Sequence, residues 1–123
     1  MNKGAATLVY EGVREFDRSR TYASLLSDDI PEQIRAILSI SWHDDWRLAQ
    51  DVCFKFAHHA DHSVRDIAIT GIGHIARIHG AVEIGSVLAL LGDLRRSGHH
   101  HGSIEDMLDD IMVHVARQGR RGI

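Results

Sequence analysis

The chain has one cysteine, one proline and few aromatic residues (6%), and its charge leans only slightly to one sign. Each shortage excludes something. Cys53 alone cannot close an intramolecular disulfide, and no C-x-x-C pair is present to hold zinc. Fourteen Lys plus Arg stand against 17 Asp plus Glu, giving a formal net charge of −3 and an isoelectric point near 6.3. That lacks the basic footprint of a nucleic-acid binder, so no nucleic-acid partner is expected. The apolar stretches at 67–78 and 87–91 are broken by Gly, His, Thr or charge well before the roughly 20 residues that cross a bilayer, so no membrane span is expected. Residues 1–20 contain no basic stretch followed by an apolar run of signal-peptide length, and the expected location is cytoplasmic.

What is present is ordinary globular material: 123 residues, 44% hydrophobic and 25% charged, enough for one domain. Pro31 is the only proline, and Gly80, Gly98, Gly102 and Gly119 punctuate segments with helical periodicity. Over 42–57, Trp42, Trp46, Ala49, Val52, Cys53 and Phe56 recur at spacings of three and four, with Asp44 and Asp45 placed to favour the helix N-terminus. Over 63–78, Val64, Ile67, Ala68, Ile72, Ile75 and Ile78 share a face, with Asp66, Thr70, His74 and Arg77 opposite. Segment 82–96 carries Val87, Leu88, Leu91 and Leu94, and 103–117 carries Ile104, Met107, Leu108, Ile111 and Val115. A helix over 31–41 uses Ile34, Ile37 and Leu38, with Asp29 and Glu32 as a capping box. Segment 20–27 adds a turn or two, and 1–17 reads as coil or frayed helix.

Shifting the chain by 40 positions lays 63–77 over 103–117 with five of fifteen positions identical, where random pairing gives about one. The identities are Ser63 with Ser103, Asp66 with Asp106, His74 with His114, Ala76 with Ala116 and Arg77 with Arg117. Five further pairs keep apolar character, among them Ile67 with Met107 and Ile75 with Val115. A helix pair repeating at about 40 to 47 residues is the signature of HEAT or armadillo solenoids. The expected fold is therefore all-α, a HEAT-like α-solenoid of two helical hairpins with an N-terminal helical cap. Its single domain divides into a poorly defined 1–20, a cap over 21–41, and repeats over 42–80 and 81–119.

The run Asp61-His62-Ser63-Val64-Arg65-Asp66-Ile67-Ala68 resembles the HEAT pattern, in which an Asp-containing turn leads into Val-Arg and then Ala. The second copy departs from it, with Ile104-Glu105 for Val-Arg and Leu108 for Ala. Together with Gly73-His74-Ile75-Ala76-Arg77-Ile78-His79-Gly80 and Glu105-Asp106-Met107-Leu108-Asp109-Asp110-Ile111, the stretch 32–117 resembles small bacterial HEAT-like immunity proteins. Such proteins are found beside polymorphic toxins, including those of contact-dependent growth inhibition systems. The resemblance implies a non-enzymatic protein that binds a cognate toxin C-terminal domain, a nuclease and in one case a ribonuclease, as a 1:1 heterodimer. A HEAT-like scaffold or adaptor for a non-toxin partner is the alternative.

The candidate partner-binding residues are the polar stripes Asp66, Thr70 and His74 on one helix and Asp106, Asp109, Asp110 and His114 on the other, with Asp44 and Asp45. Solenoids present such faces as concave binding surfaces, and paired carboxylates suit a nuclease site built for phosphates. The competing readings are a solvated helix face, an Asp–Arg ladder between repeats and, for Asp28-Asp29 and Asp44-Asp45, helix capping. Two His clusters, His58, His59 and His62 and then His99, His100 and His101, read as polar turns because no familiar zinc spacing is present. No metal, cofactor or catalytic residue is expected. Cys53 falls on an apolar stripe, Trp42 and Trp46 read as core anchors, and Gly71-Ile72-Gly73 reads as a site of close helix packing.

Overall fold

The computed structural model describes residues 16–99 and 102–116. Among them are six α-helices and no strand: α1 Arg18–Leu25, α2 Ile30–His43, α3 Trp46–Phe56, α4 His62–His79, α5 Ile84–Ser97 and α6 Gly102–Ile111. Helix α6 runs on into a π-helical turn, Met112–Ala116. The all-α expectation holds for these residues. The segment 1–15, His100, His101 and Arg117, all of which carried expectations, lie outside the described residues.

Side-chain chemistry accounts for most of the helix ends. Asp17, Asp45 and Asp61 precede α1, α3 and α4 in non-helical conformations, and their carboxylates accept backbone N–H bonds from the first turn. Asp29 does not cap α2 in this way. Its side chain makes no capping bond, its own N–H donates to Ser27 Oγ, and the expected capping box with Glu32 does not form. Pro31 sits in the first turn of α2, where its missing N–H costs nothing. Helices α4 and α5 end at Gly80 and Gly98, whose φ values of 68° and 74° favour a residue without Cβ.

The helix expected over 42–57 starts four residues later than the periodicity suggests. Trp42 belongs to the last turn of α2, which continues to His43, and the break falls at Asp44 and Asp45. Trp42 stands five residues past the buried Ile37, about 140° round the helix, so it leaves the core face and is 50% exposed. Trp42 is therefore not a core anchor, whereas Trp46 packs partly buried against the core.

Helix α4 is the hub, packing against α2, α3 and α6. Contact from three sides widens its buried arc beyond a single stripe: Val64, Ala68, Ile69, Gly71, Ile72, Gly73, Ile75 and Ala76 are all buried. This corrects two assignments, because Ile69 is fully buried while Ile78, expected on the apolar face, is 41% exposed. On α5, likewise, Leu90 is buried and Leu88 lies open to solvent. Ile37, Ile40, Ile69, Ile72 and Ile75 form the centre of the core, each worth about 2 kcal/mol of hydrophobic burial.

Named contacts fix the helix directions. Arg18 and Tyr22 near the start of α1 reach Asp44 just past the end of α2, so these two run antiparallel. Cys53 of α3 lies by Gly71 of α4, and Gln50 reaches Glu83 beyond the end of α4, so α3 and α4 are antiparallel as well. Asp66 meets Ser103 and Arg77 meets Asp110, which makes α4 and α6 parallel neighbours. Gln50 to Glu83 and His58 to Asp93 set α3 parallel to α5.

Candidate functional site

A groove of about 330 Å³ runs between α4 and α6, lined by Thr70, His74 and Arg77 from one helix and Asp106, Met107, Asp109 and Asp110 from the other. Residues 70, 74 and 77 recur at helical spacing on the side of α4 away from its buried arc. Gly73 lets the two helices meet: a Cβ there would lie 3.2 Å from Met107 Cα and 2.9 Å from Asp110 Oδ2.

The groove is acidic and only partly compensated. Arg77 Nη1 lies 3.9 Å from Asp110 Oδ2, a loose ion pair with Arg77 45% exposed. Asp106 and Asp109 form no ion pair among the described residues. His74 is half-buried. Burial holds its pKa below the usual histidine value, assisted by the nearby Arg77 and opposed by Asp110.

Of the residues singled out from sequence, Thr70, His74, Asp106, Asp109 and Asp110 thus come together in one groove. Asp66 does not line it, because its Oδ1 accepts a 2.6 Å hydrogen bond from Ser103 Oγ and ties α4 to the first turn of α6. His114 sits half-buried in the π-helical turn, beyond the groove. Asp44 is not a surface residue. It is 3% exposed and accepts bonds from Arg18, Tyr22 and the Asp45 N–H, while Asp45 caps α3. Asp28 and Asp29 remain exposed ahead of α2.

Trp42 does not line the groove but contacts it through His74, a link that the periodicity hid. Its Nε1–H donates to His74 Nδ1 at 3.1 Å, and the rings meet edge to face with centroids 5.7 Å apart. The helix break at Asp44-Asp45 was the available signal: counted from Ile37 of α2 rather than from Trp46, position 42 falls off the apolar face.

The histidine turn between α3 and α4 is held by bonds within the turn and by one to α5. His58 Nε2 lies 3.2 Å from Asp93 Oδ2, and His59 Nδ1 accepts the Asp61 N–H while its ring stacks on Phe56. Among the described residues no three His, Cys, Asp or Glu side chains gather to hold a metal ion. None of the helices there is long and apolar enough to cross a membrane. Cys53 is fully buried beside Ser41, and burial pushes its thiol up to about 12, so it stays protonated at neutral pH.

No family model matches the chain, and no curated protein or solved structure matches it.

Proposed function

We propose that this chain neutralises a cognate bacterial toxin domain by binding it stoichiometrically through the α4–α6 groove, covering its active site or substrate groove. The observation that carries the reading is the convergence of Asp106, Asp109 and Asp110 with Thr70, His74 and a half-exposed Trp42 on one side of the helical layer. Such a surface complements the Lys, Arg and His that a nuclease presents to phosphates, and exposed Trp is among the residues most enriched in binding hot spots. The resemblance of 32–117 to HEAT-like immunity proteins names the class of partner. The packing suits an α-solenoid: antiparallel pairs α1–α2 and α3–α4, with α5 parallel to α3 and α6 parallel to α4. In that arrangement the cap over 21–41 supplies most of an additional hairpin.

Binding fits the groove better than catalysis. The Nδ1 of His74 is engaged by an indole N–H, and the one thiol in the chain is buried and protonated. Co-expression with the C-terminal domain of a protein encoded immediately upstream tests the proposal through growth rescue and recovery of a 1:1 complex. Trp42→Ala should weaken that complex about 30-fold, near 2 kcal/mol, with an unchanged helical circular-dichroism spectrum. Two folded proteins that give neither complex nor rescue would leave the scaffold reading in its place.

A further inference from the structure

The contact between Trp42 and His74 depends on the position of one proton. An indole nitrogen donates and never accepts, so a bond from Trp42 Nε1–H to His74 Nδ1 requires a lone pair on Nδ1 and therefore a neutral imidazole protonated on Nε2. The geometry points to a proton-operated latch between α2 and α4, in which neutral His74 holds the indole at the rim of the groove and a proton on Nδ1 releases it and turns the imidazolium toward Asp110. Protonation would set two N–H donors against each other across 3.1 Å, which ends the bond.

The charged form has an alternative partner in place. From α6, Asp106, Asp109 and Asp110 line the groove that His74 shares, and the existing contact of Asp110 with Arg77 is loose at 3.9 Å. On α4 itself the facing charge is Arg77, and from α2 the group in contact is the indole. Burial and Arg77 oppose protonation while Asp110 favours it, with a net downward shift. The latch is accordingly closed at neutral pH and opens in acid, below the ordinary histidine midpoint. A deeper contact of α2 with α4 places Ser41 against Gly71, and His79 of α4 also reaches α2, its Nε2 standing 3.4 Å from the Ser41 carbonyl oxygen.

Proton and nitrogen NMR of the full chain between about pH 7.5 and about pH 4.5 tests this directly, because that window brackets a histidine transition. The Trp42 indole N–H resonance should move upfield on acidification with the same midpoint as the His74 ring, while Trp46, whose ring lies under Arg47, serves as the internal reference. His74→Gln removes the titrating imidazole that the indole N–H meets, so the Trp42 resonance should lose its titration. Asp110→Asn should move the shared midpoint further into acid. A Trp42 resonance that stays flat while His74 titrates, or that titrates unchanged in His74→Gln, would overturn the latch. Should His74→Gln fail to fold, coincident midpoints in the unsubstituted chain and their displacement in Asp110→Asn decide the matter.

Discussion

Gly71→Val should destabilise the fold by about 4 kcal/mol, more than the usual 1–3 kcal/mol of an overpacked core. A Cβ at position 71 would stand 2.6 Å from Ser41 Oγ and 2.8 Å from Cys53 Sγ, closer than real contacts allow. Neither neighbour can swing into solvent. Both residues are fully buried, and the Ser41 hydroxyl also donates to the Ile37 carbonyl. Valine adds two methyl groups and a β-branch to that collision, whereas Gly71→Ala recovers about 1 kcal/mol of helix propensity and should lose about 2 kcal/mol net. Urea denaturation followed by circular dichroism measures both. Placing Gly71→Ala in a Ser41→Ala, Cys53→Ala background removes the two atoms it strikes, so its cost there should fall close to zero. Equal cost in both backgrounds would show that the close approach of α2, α3 and α4 is not what position 71 protects.

The same glycine shows how far sequence reasoning reaches. The segment Gly71-Ile72-Gly73 was legible as a place of close packing because small residues inside a helical pattern have few other uses, but its partners were not legible. Gly71 faces α2 and α3, and Gly73 faces α6, an allocation that depends on tertiary contacts of high sequence separation. The 40-residue internal alignment grouped Thr70 and His74 with Asp106 and Asp110, and these four residues do line one groove between α4 and α6. It failed for Asp66, whose carboxylate turned inward to Ser103, because periodicity reports the direction of a residue but not its hydrogen-bond partner. The apolar periodicity misplaced Trp42 for a different reason. Three-and-four spacing ran unbroken across the α2–α3 junction, so the pattern joined residues of two helices, and the Asp44-Asp45 pair that divides them read as acidic residues favouring the N-terminus of one helix over 42–57. The wide buried arc of α4 hid Ile69 and exposed Ile78 for a related cause: a helix packed from three sides has no single apolar stripe to count.

Asp44→Ala should cost about 3 kcal/mol, and its effect should depend on pH in a defined direction. The carboxylate is 3% exposed and receives four hydrogen bonds, from Arg18 Nη2 at 2.7 Å, Arg18 Nε at 3.2 Å, the Tyr22 hydroxyl at 2.9 Å and the Asp45 N–H at 2.7 Å. Truncation leaves the Tyr22 hydroxyl and the Asp45 N–H unmatched in a half-buried setting, while Arg18, 59% exposed, turns to water; the loss therefore falls at the lower end of the range for a broken buried pair. These contacts join α1 to the α2–α3 junction, so the variant should fray α1 first, visible as faster amide exchange over 18–25. Burial alone would raise the Asp44 pKa, but the bonds from Arg18, the Asp45 N–H and Tyr22 outweigh it and hold the group below the ordinary carboxylate value. A depressed folded pKa contributes stability that is fully present above the unfolded value, near 3.9, and is lost as pH falls through the folded value. The gap in unfolding free energy between the unsubstituted chain and Asp44→Ala should therefore stay constant from neutral pH down to about pH 5 and narrow below about pH 4. A gap that instead widened in acid would mean that the protonated carboxyl holds α1 in place, and the charge-assisted bonds from Arg18 would then contribute little to the junction.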